Sequence, residues 1–193
     1  MVEELAQDAV KVIVEGSGSS VHGVRQYHVP VREEEKLETL IGILEARASQ
    51  NAAIIVFCNS DSQVDALARD VSARGIKVST FGGAKAATSQ GIENASKKAQ
   101  GWKALNDLLI AESAPQSARL LISTDREIQG LAHASVVINY ELPKSPEAYS
   151  HRVQRLCCFG SEWPVAISLT TPNDERMLKD IERYFHITLT KGL

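Results

Sequence analysis

The chain has 193 residues, 44% of them apolar and 23% charged, with a formal net charge of -3. That is enough for one substantial domain with a buried core, and the weak acidity excludes a global basic field for a polyanion. No apolar run approaches the roughly 20 residues a membrane helix needs, and no stretch reads as a signal peptide.

Taken in order, residues 10–14 form a short β-branched run, and Gly16 to Ser20 (Gly-Ser-Gly-Ser-Ser) read as a flexible linker. Residues 24–31 alternate apolar and polar side chains, which predicts a strand. Leu37, Leu40, Ile41 and Leu44 give residues 33–49 the spacing of an amphipathic helix. Residues 52–58 are a continuous apolar run, suited to a strand buried on both faces. Asp61 is read as the cap of the next helix, with Val64, Leu67, Ala68 and Val71 inward and Gly75 as its stop. Residues 76–81 are the next predicted strand. Residues 82–96 are small and polar without period, and read as a loop. Residues 97–112 predict a helix that turns Trp102, Leu105, Leu108 and Leu109 inward. Strands follow at 119–123 and 135–140. Ser145 and Pro146 cap and start a helix reaching about Leu156. A strand at 164–169 precedes a helix at 172–185, with Met177, Leu178, Ile181 and either Tyr184 or Phe185 inside. Residues 187–189 predict a last short strand.

Strands and helices alternate, and most of the strands are unbroken apolar runs. This pattern implies an α/β domain, a mostly parallel sheet with helices on both faces. Ligands of such sheets bind at the carboxyl ends of the strands, so function belongs to the loops after Cys58, Phe81, Ser123 and Tyr140. Cys58, Cys157 and Cys158 match neither a disulfide framework nor a zinc spacing. They read as reduced thiols and small apolar fillers in a cytoplasmic or nuclear protein, and no metal site is expected.

The residues from His151 to Gly160 read His-Arg-Val-Gln-Arg-Leu-Cys-Cys-Phe-Gly. Two arginines three apart near a helix end suit a polyphosphate, since each guanidinium offers a planar fork of donors. The stretch resembles motif VI of the DEAD-box RNA helicases, His-Arg-x-Gly-Arg-x-Gly-Arg-x-Gly. Arg152 and Arg155 stand, whereas Gln154, Cys157 and Cys158 replace two glycines and the last arginine. Other segments are similar to the same family in the same order. Residues 54–60 resemble motif IV, Ser123-Thr124-Asp125 the head of motif V, and Ile138-Asn139-Tyr140-Glu141-Leu142-Pro143 the usual Val-Ile-Asn-Tyr-Asp-Leu-Pro. Residues 174–185 resemble the last helix of the translation-initiation and mRNA-export branches. Motif V departs further on: Gln129 stands for the family's arginine and Ala132 for the aspartate that holds the ATP ribose. The loop at 83–90 lacks the family's RNA-contacting arginine, unless an alternative alignment gives Gln100 and Lys103 those roles.

The resemblance implies a RecA-like three-layer sandwich, the second of the two such domains in a helicase. It makes residues 1–20 a linker or the end of a preceding domain, and 21–193 the domain itself. It implies Arg155 as a catalytic arginine finger and Gly130 with Arg155 as nucleotide contacts. It implies RNA contacts at Asn59, Ser60, Gly83, Thr124 and Arg152. Each role has a plainer alternative. Arg155 would cap a helix end or pair with a surface acid. Arg152 and His151 would satisfy groups within this domain rather than across an interdomain cleft. Asn59, Ser60 and Thr124 would be turn and cap residues. Trp102 belongs to a core, whereas Trp163 suits a surface for a protein partner.

The chain holds no Gly-x-x-x-x-Gly-Lys-Ser/Thr loop and no Asp-Glu-Ala-Asp, so alone it should not hydrolyse ATP. ATP with Mg is expected only where a first RecA-like domain is present, and no cofactor for this chain by itself. The expected partners are RNA, held weakly in isolation, that first domain, and no membrane. Two functions fit: the catalytically weakened C-terminal domain of an ATP-dependent RNA helicase in RNA metabolism, or a degenerate helicase-like scaffold in an RNA-associated complex.

Overall fold

The computed structural model describes residues 24–48, 52–81, 120–126, 134–156 and 164–192. The elements are β1 (Arg25–Pro30), α1 (Lys36–Ala48), β2 (Ile54–Cys58), α2 (Asp61–Ala73), β3 (Ser79–Phe81) and β4 (Leu120–Thr124). Then come β5 (Val136–Asn139), α3 (Pro146–Val153), β6 (Val165–Thr170), α4 (Glu175–Phe185) and β7 (Thr190–Lys191). Short 3-10 turns, Glu33–Glu35 and Pro172–Asp174, lead into α1 and α4. Among the described residues the sheet has seven strands in the order β3-β4-β2-β5-β6-β1-β7. Every pairing is parallel, which sharpens the expected mostly parallel sheet.

The apolar runs explain why the middle strands lie there. All five residues of β2 are buried, as are those of β4, β5 and β6. Side chains alternate between the faces. Ile54, Val56 and Cys58 pack on one face with Leu40, Leu44, Val64, Leu67 and Val71 of α1 and α2. Ile55 and Phe57 point to the other face. There Tyr149 and Val153 of α3 meet Ile181 and Phe185 of α4. Each fully buried Ile, Leu or Phe contributes roughly 1.5–3 kcal/mol by leaving water. Three layers result.

Several local expectations change. Ser60, not Asp61, caps α2: its backbone is extended and its hydroxyl accepts Gln63 N–H at 3.3 Å. Asp61 is already inside the first turn. Gly75 does stop the helix, at φ 79°. The strand expected at 76–81 pairs only from Ser79, while Ile76 and Val78 still pack on the core. The last strand lies at Thr190–Lys191 rather than 187–189. α4 ends on His186 at φ 52°, and Ile187 N–H and Leu189 N–H both turn back to Glu182, so pairing starts later. On α4 it is Phe185 that is buried, with Tyr184 55% exposed. The linker at 16–20, the loop at 82–96 and the helix at 97–112 with Trp102 lie outside the described residues.

Candidate functional site

β4, β2 and β5 lie side by side, and their carboxyl ends arrive together. Cys58 is in register with Thr124, and Phe57 with Asn139. One or two residues on, each chain turns and carries a polar side chain: Asn59, Asp125 and Glu141. α3 crosses this edge. It starts on Ser145, whose hydroxyl accepts Ala148 N–H at 3.2 Å, with Pro146 in its first turn. This start fixes the helix so that Arg152, in its last turn, reaches over all three strand ends.

The Arg152 side chain is fully buried. All five of its N–H donors have acceptors. Nε and Nη2 grip the two Asp125 oxygens at 2.6 and 2.7 Å. Nη2 also donates to Asn59 Oδ1 at 2.7 Å. Nη1 donates to Asn139 Oδ1 at 3.1 Å and to the Glu141 carbonyl at 2.7 Å. The guanidinium lies 5.0 Å from the centre of the Phe57 ring. A buried cation survives only with such pairing, and the bidentate fork to Asp125 supplies it. The acceptors are held in turn. Asn139 Nδ2 donates to Ser168 Oγ at 3.0 Å, and Asn59 Nδ2 to the Leu142 carbonyl at 2.8 Å. Asn59 N–H donates to Glu141 Oε2 at 2.7 Å. Three residues earlier on α3, buried Tyr149 donates to Gln26 Oε1 at 2.8 Å, and burial pushes its phenol well above the ordinary range.

A cleft of about 280 Å³ opens beside this knot, with Phe57 in its floor and Asp125, Glu147, His151, Arg152 and Arg155 around it. Glu147, His151 and Arg155 follow each other at four-residue steps toward the end of α3. The Glu147 carboxyl is held below the ordinary range by its own backbone N–H and the Ser145 hydroxyl. Arg155 is half-buried, and its carbonyl accepts Ala134 N–H at 2.9 Å. Asp125 matches Arg152, and the cleft also brings together His151, Arg155 and the Glu147 carboxylate. A second crevice, about 440 Å³, lies between the ends of β1 and β6 and mixes exposed Arg32, Glu35 and Glu175.

The sequence-derived candidates divide accordingly. Arg155 lines the cleft. Ser60 is exposed, next to the strand ends. Thr124 is buried, its hydroxyl 3.5 Å from Asp61 Oδ1, at the limit of a hydrogen bond. Arg152 and Asn59 turn inward: all five guanidinium donors have acceptors within the domain, and Asn59 Nδ2 donates to the Leu142 carbonyl. Gly83, Gly130, Gln129, Ala132, Cys157, Cys158 and Trp163 lie outside the described residues. Cys58 is buried, and its thiol is pushed up to about 12 by burial. Sequence reading gave no role to Asp125, Asn139 or Glu141. The signal was a polar residue closing each apolar strand run.

Residues 35–160 match the family described as helicase conserved C-terminal domain. The ATP-dependent RNA helicase eIF4A of Pyricularia oryzae is 32% identical over 182 residues, which cover 93% of this chain and 41% of that protein. Eukaryotic initiation factor 4A of Drosophila melanogaster is 31% identical over 186 residues, covering 95% and 41%. Eukaryotic initiation factor 4A-9 of Nicotiana tabacum is 33% identical over 183 residues, covering 93% and 40%. The chain thus spans less than half the length of these relatives. Among solved structures, the C-terminal domain of the DEAD-box protein Dbp5 superposes with a TM-score of 0.67 at 23% identity, covering 89% of this chain and 91% of that one. The E. coli DEAD-box protein SrmB, bound to regulator of ribonuclease activity A, gives 0.64 at 22% identity, covering 88% and 91%. These two likenesses concern the fold, which is RecA-like. The chain belongs to the helicase conserved C-terminal domain family.

Proposed function

We propose that this domain is the RNA-gripping half of an ATP-dependent RNA helicase acting in RNA metabolism, and that it turns over no ATP by itself. In this reading residues 1–20 are the linker or the end of a preceding domain, and 21–193 the domain. ATP with Mg is held only where a first RecA-like domain closes on the cleft. Arg155 then faces the transferring phosphate as a finger, with Gly130 beside the nucleotide. Ser60, Thr124 and Gly83 meet RNA phosphates, contacts that position a strand without reading its bases. Asn59 and Arg152 brace those contacts from behind. A protein partner docks near Trp163, in a cytoplasmic or nuclear setting. One observation carries the reading: the Arg152 knot joins three strand-end loops and sets Arg155 one turn farther on, at the mouth of a cleft.

The test combines this chain with the first RecA-like domain of an eIF4A relative and follows RNA-stimulated ATP hydrolysis. Hydrolysis should require both parts and fall on Arg155→Ala. A finger is worth ~10³–10⁵ in rate, so a partial finger still leaves a drop of at least about tenfold. An unchanged rate rejects the finger. A second reading, a degenerate scaffold, is favoured by Gln129, Ala132 and Cys158, which replace the family's charged nucleotide contacts. It expects RNA or protein binding with no hydrolysis in any combination.

A further inference from the structure

We infer that Glu141 is a positioning residue for RNA, acting through the backbone of Asn59; this rests on the RNA reading above. Asn59 and Ser60 form the turn between β2 and α2. Glu141 and Leu142 lie between β5 and α3, more than eighty positions away in sequence. Two hydrogen bonds, both donated by Asn59, tie the turns together: its backbone N–H to Glu141 Oε2 at 2.7 Å, and its side-chain Nδ2 to the Leu142 carbonyl at 2.8 Å. Arg152 Nη1 closes the ring on the Glu141 carbonyl at 2.7 Å. The next residue, Ser60, is exposed and begins α2. The Glu141 carboxylate therefore sets where Ser60 and the first amides of α2 stand.

Charge alone argues the other way. A carboxylate beside a phosphate-binding turn repels RNA, so deleting it should tighten binding. The positioning role predicts the opposite sign. The Asn59 N–H loses a charged acceptor, the turn loosens, and binding weakens by about tenfold if the whole bond is felt. Glu141→Gln separates the two effects, since its amide oxygen still accepts that N–H while the charge is gone.

The experiment uses the 193-residue chain and a fluorescein-labelled oligouridylate in low salt, read by anisotropy. Amide NMR follows the Asn59 N–H, and circular dichroism checks folding. Glu141→Ala should weaken binding about tenfold and move the Asn59 amide resonance. Glu141→Gln should bind within about twofold of wild type, or more tightly, with that resonance nearly in place. Glu34→Ala, an exposed acid on the turn before α1, should leave affinity unchanged. If Glu141→Ala does not fold, Glu141→Met repeats the measurement with similar length and no acceptor. Tighter binding by both Ala and Gln overturns the inference and makes Glu141 a bare charge. Weakening by Ala and Gln alike, with the resonance fixed in both, also overturns it. A wild-type chain that ignores RNA removes the RNA reading itself, a result visible before any variant is compared.

Discussion

Replacing Arg152 should unfold the domain's active edge before it does anything else. Arg152→Ala strands four acceptor groups at once. Asp125, whose side chain is 38% exposed, takes water in place of the guanidinium. Asn139 is fully buried, so its Oδ1 stays bare at roughly 1–3 kcal/mol. The stacking on Phe57 goes too, worth about 1–2 kcal/mol in a desolvated place. Removing a buried cation returns its own desolvation cost, which offsets part of the loss. The net is about 3–4 kcal/mol, within the range for breaking a buried pair. Arg152→Lys should cost about 2–3 kcal/mol, because three donors on a single nitrogen cannot fork onto Asp125 while serving Asn59, Asn139 and a carbonyl. Urea denaturation with linear extrapolation measures both. A double-mutant cycle with Asp125→Ala should show a coupling of at least about 1 kcal/mol. A loss under about 1 kcal/mol for Arg152→Ala, with RNA affinity abolished, would refute this reasoning and return Arg152 to the RNA.

Leu67→Ala removes a buried side chain from the α2 stripe and should cost about 2–5 kcal/mol in the same urea assay. Gly75→Ala meets no atom within 4 Å, so only the φ of 79° resists it; the loss should be about 1 kcal/mol, read as a small drop in thermal midpoint. Burial lifts the Cys58 thiol and the Tyr140 phenol, both to about 12. The unfolded chain releases these protons first, near pH 9 and 10, so stability is full below about pH 9 and falls toward pH 12, by up to about 1.4 kcal/mol per unit for each group. Urea midpoints from pH 8 to 11 check the slope, and Cys58→Ala should flatten its lower part.

The fold was legible because each element announces itself locally. An unbroken apolar run such as residues 54–58 has two buried faces to fill, and only a central parallel strand offers both. The helix stripes were read for the same reason, down to Gly75. What failed was also local in appearance but settled at a distance. Ile187 and Leu189 have strand-like side chains, yet Glu182 claims their backbone N–H groups first, so the pairing begins after them. Asp61 looks like a cap, but the extended backbone falls on Ser60, one residue earlier.

The site was half legible, and the missing half is instructive. Arg152 and Arg155 sit three apart, look alike and both line the cleft, yet the Arg152 side chain is fully buried in its knot while Arg155 is half-buried. The difference comes from sheet order, which puts β4 and β5 on either side of β2 although 120–124 and 136–139 are far from 54–58 in sequence. Only then do Asp125, Asn139 and Asn59 become neighbours. A clue was still present. Asn139 ends a run of Val136, Val137 and Ile138, where a carboxamide is costly unless a partner arrives. Its Nδ2 finds Ser168 on the adjacent strand, but its oxygen needs a donor from above the sheet edge. A long cation on the following helix is the natural candidate, and Arg152 lies in that helix's last turn. By this logic an asparagine closing a central apolar strand calls for a buried arginine. That arginine should be assigned to the fold before any ligand is assigned to it.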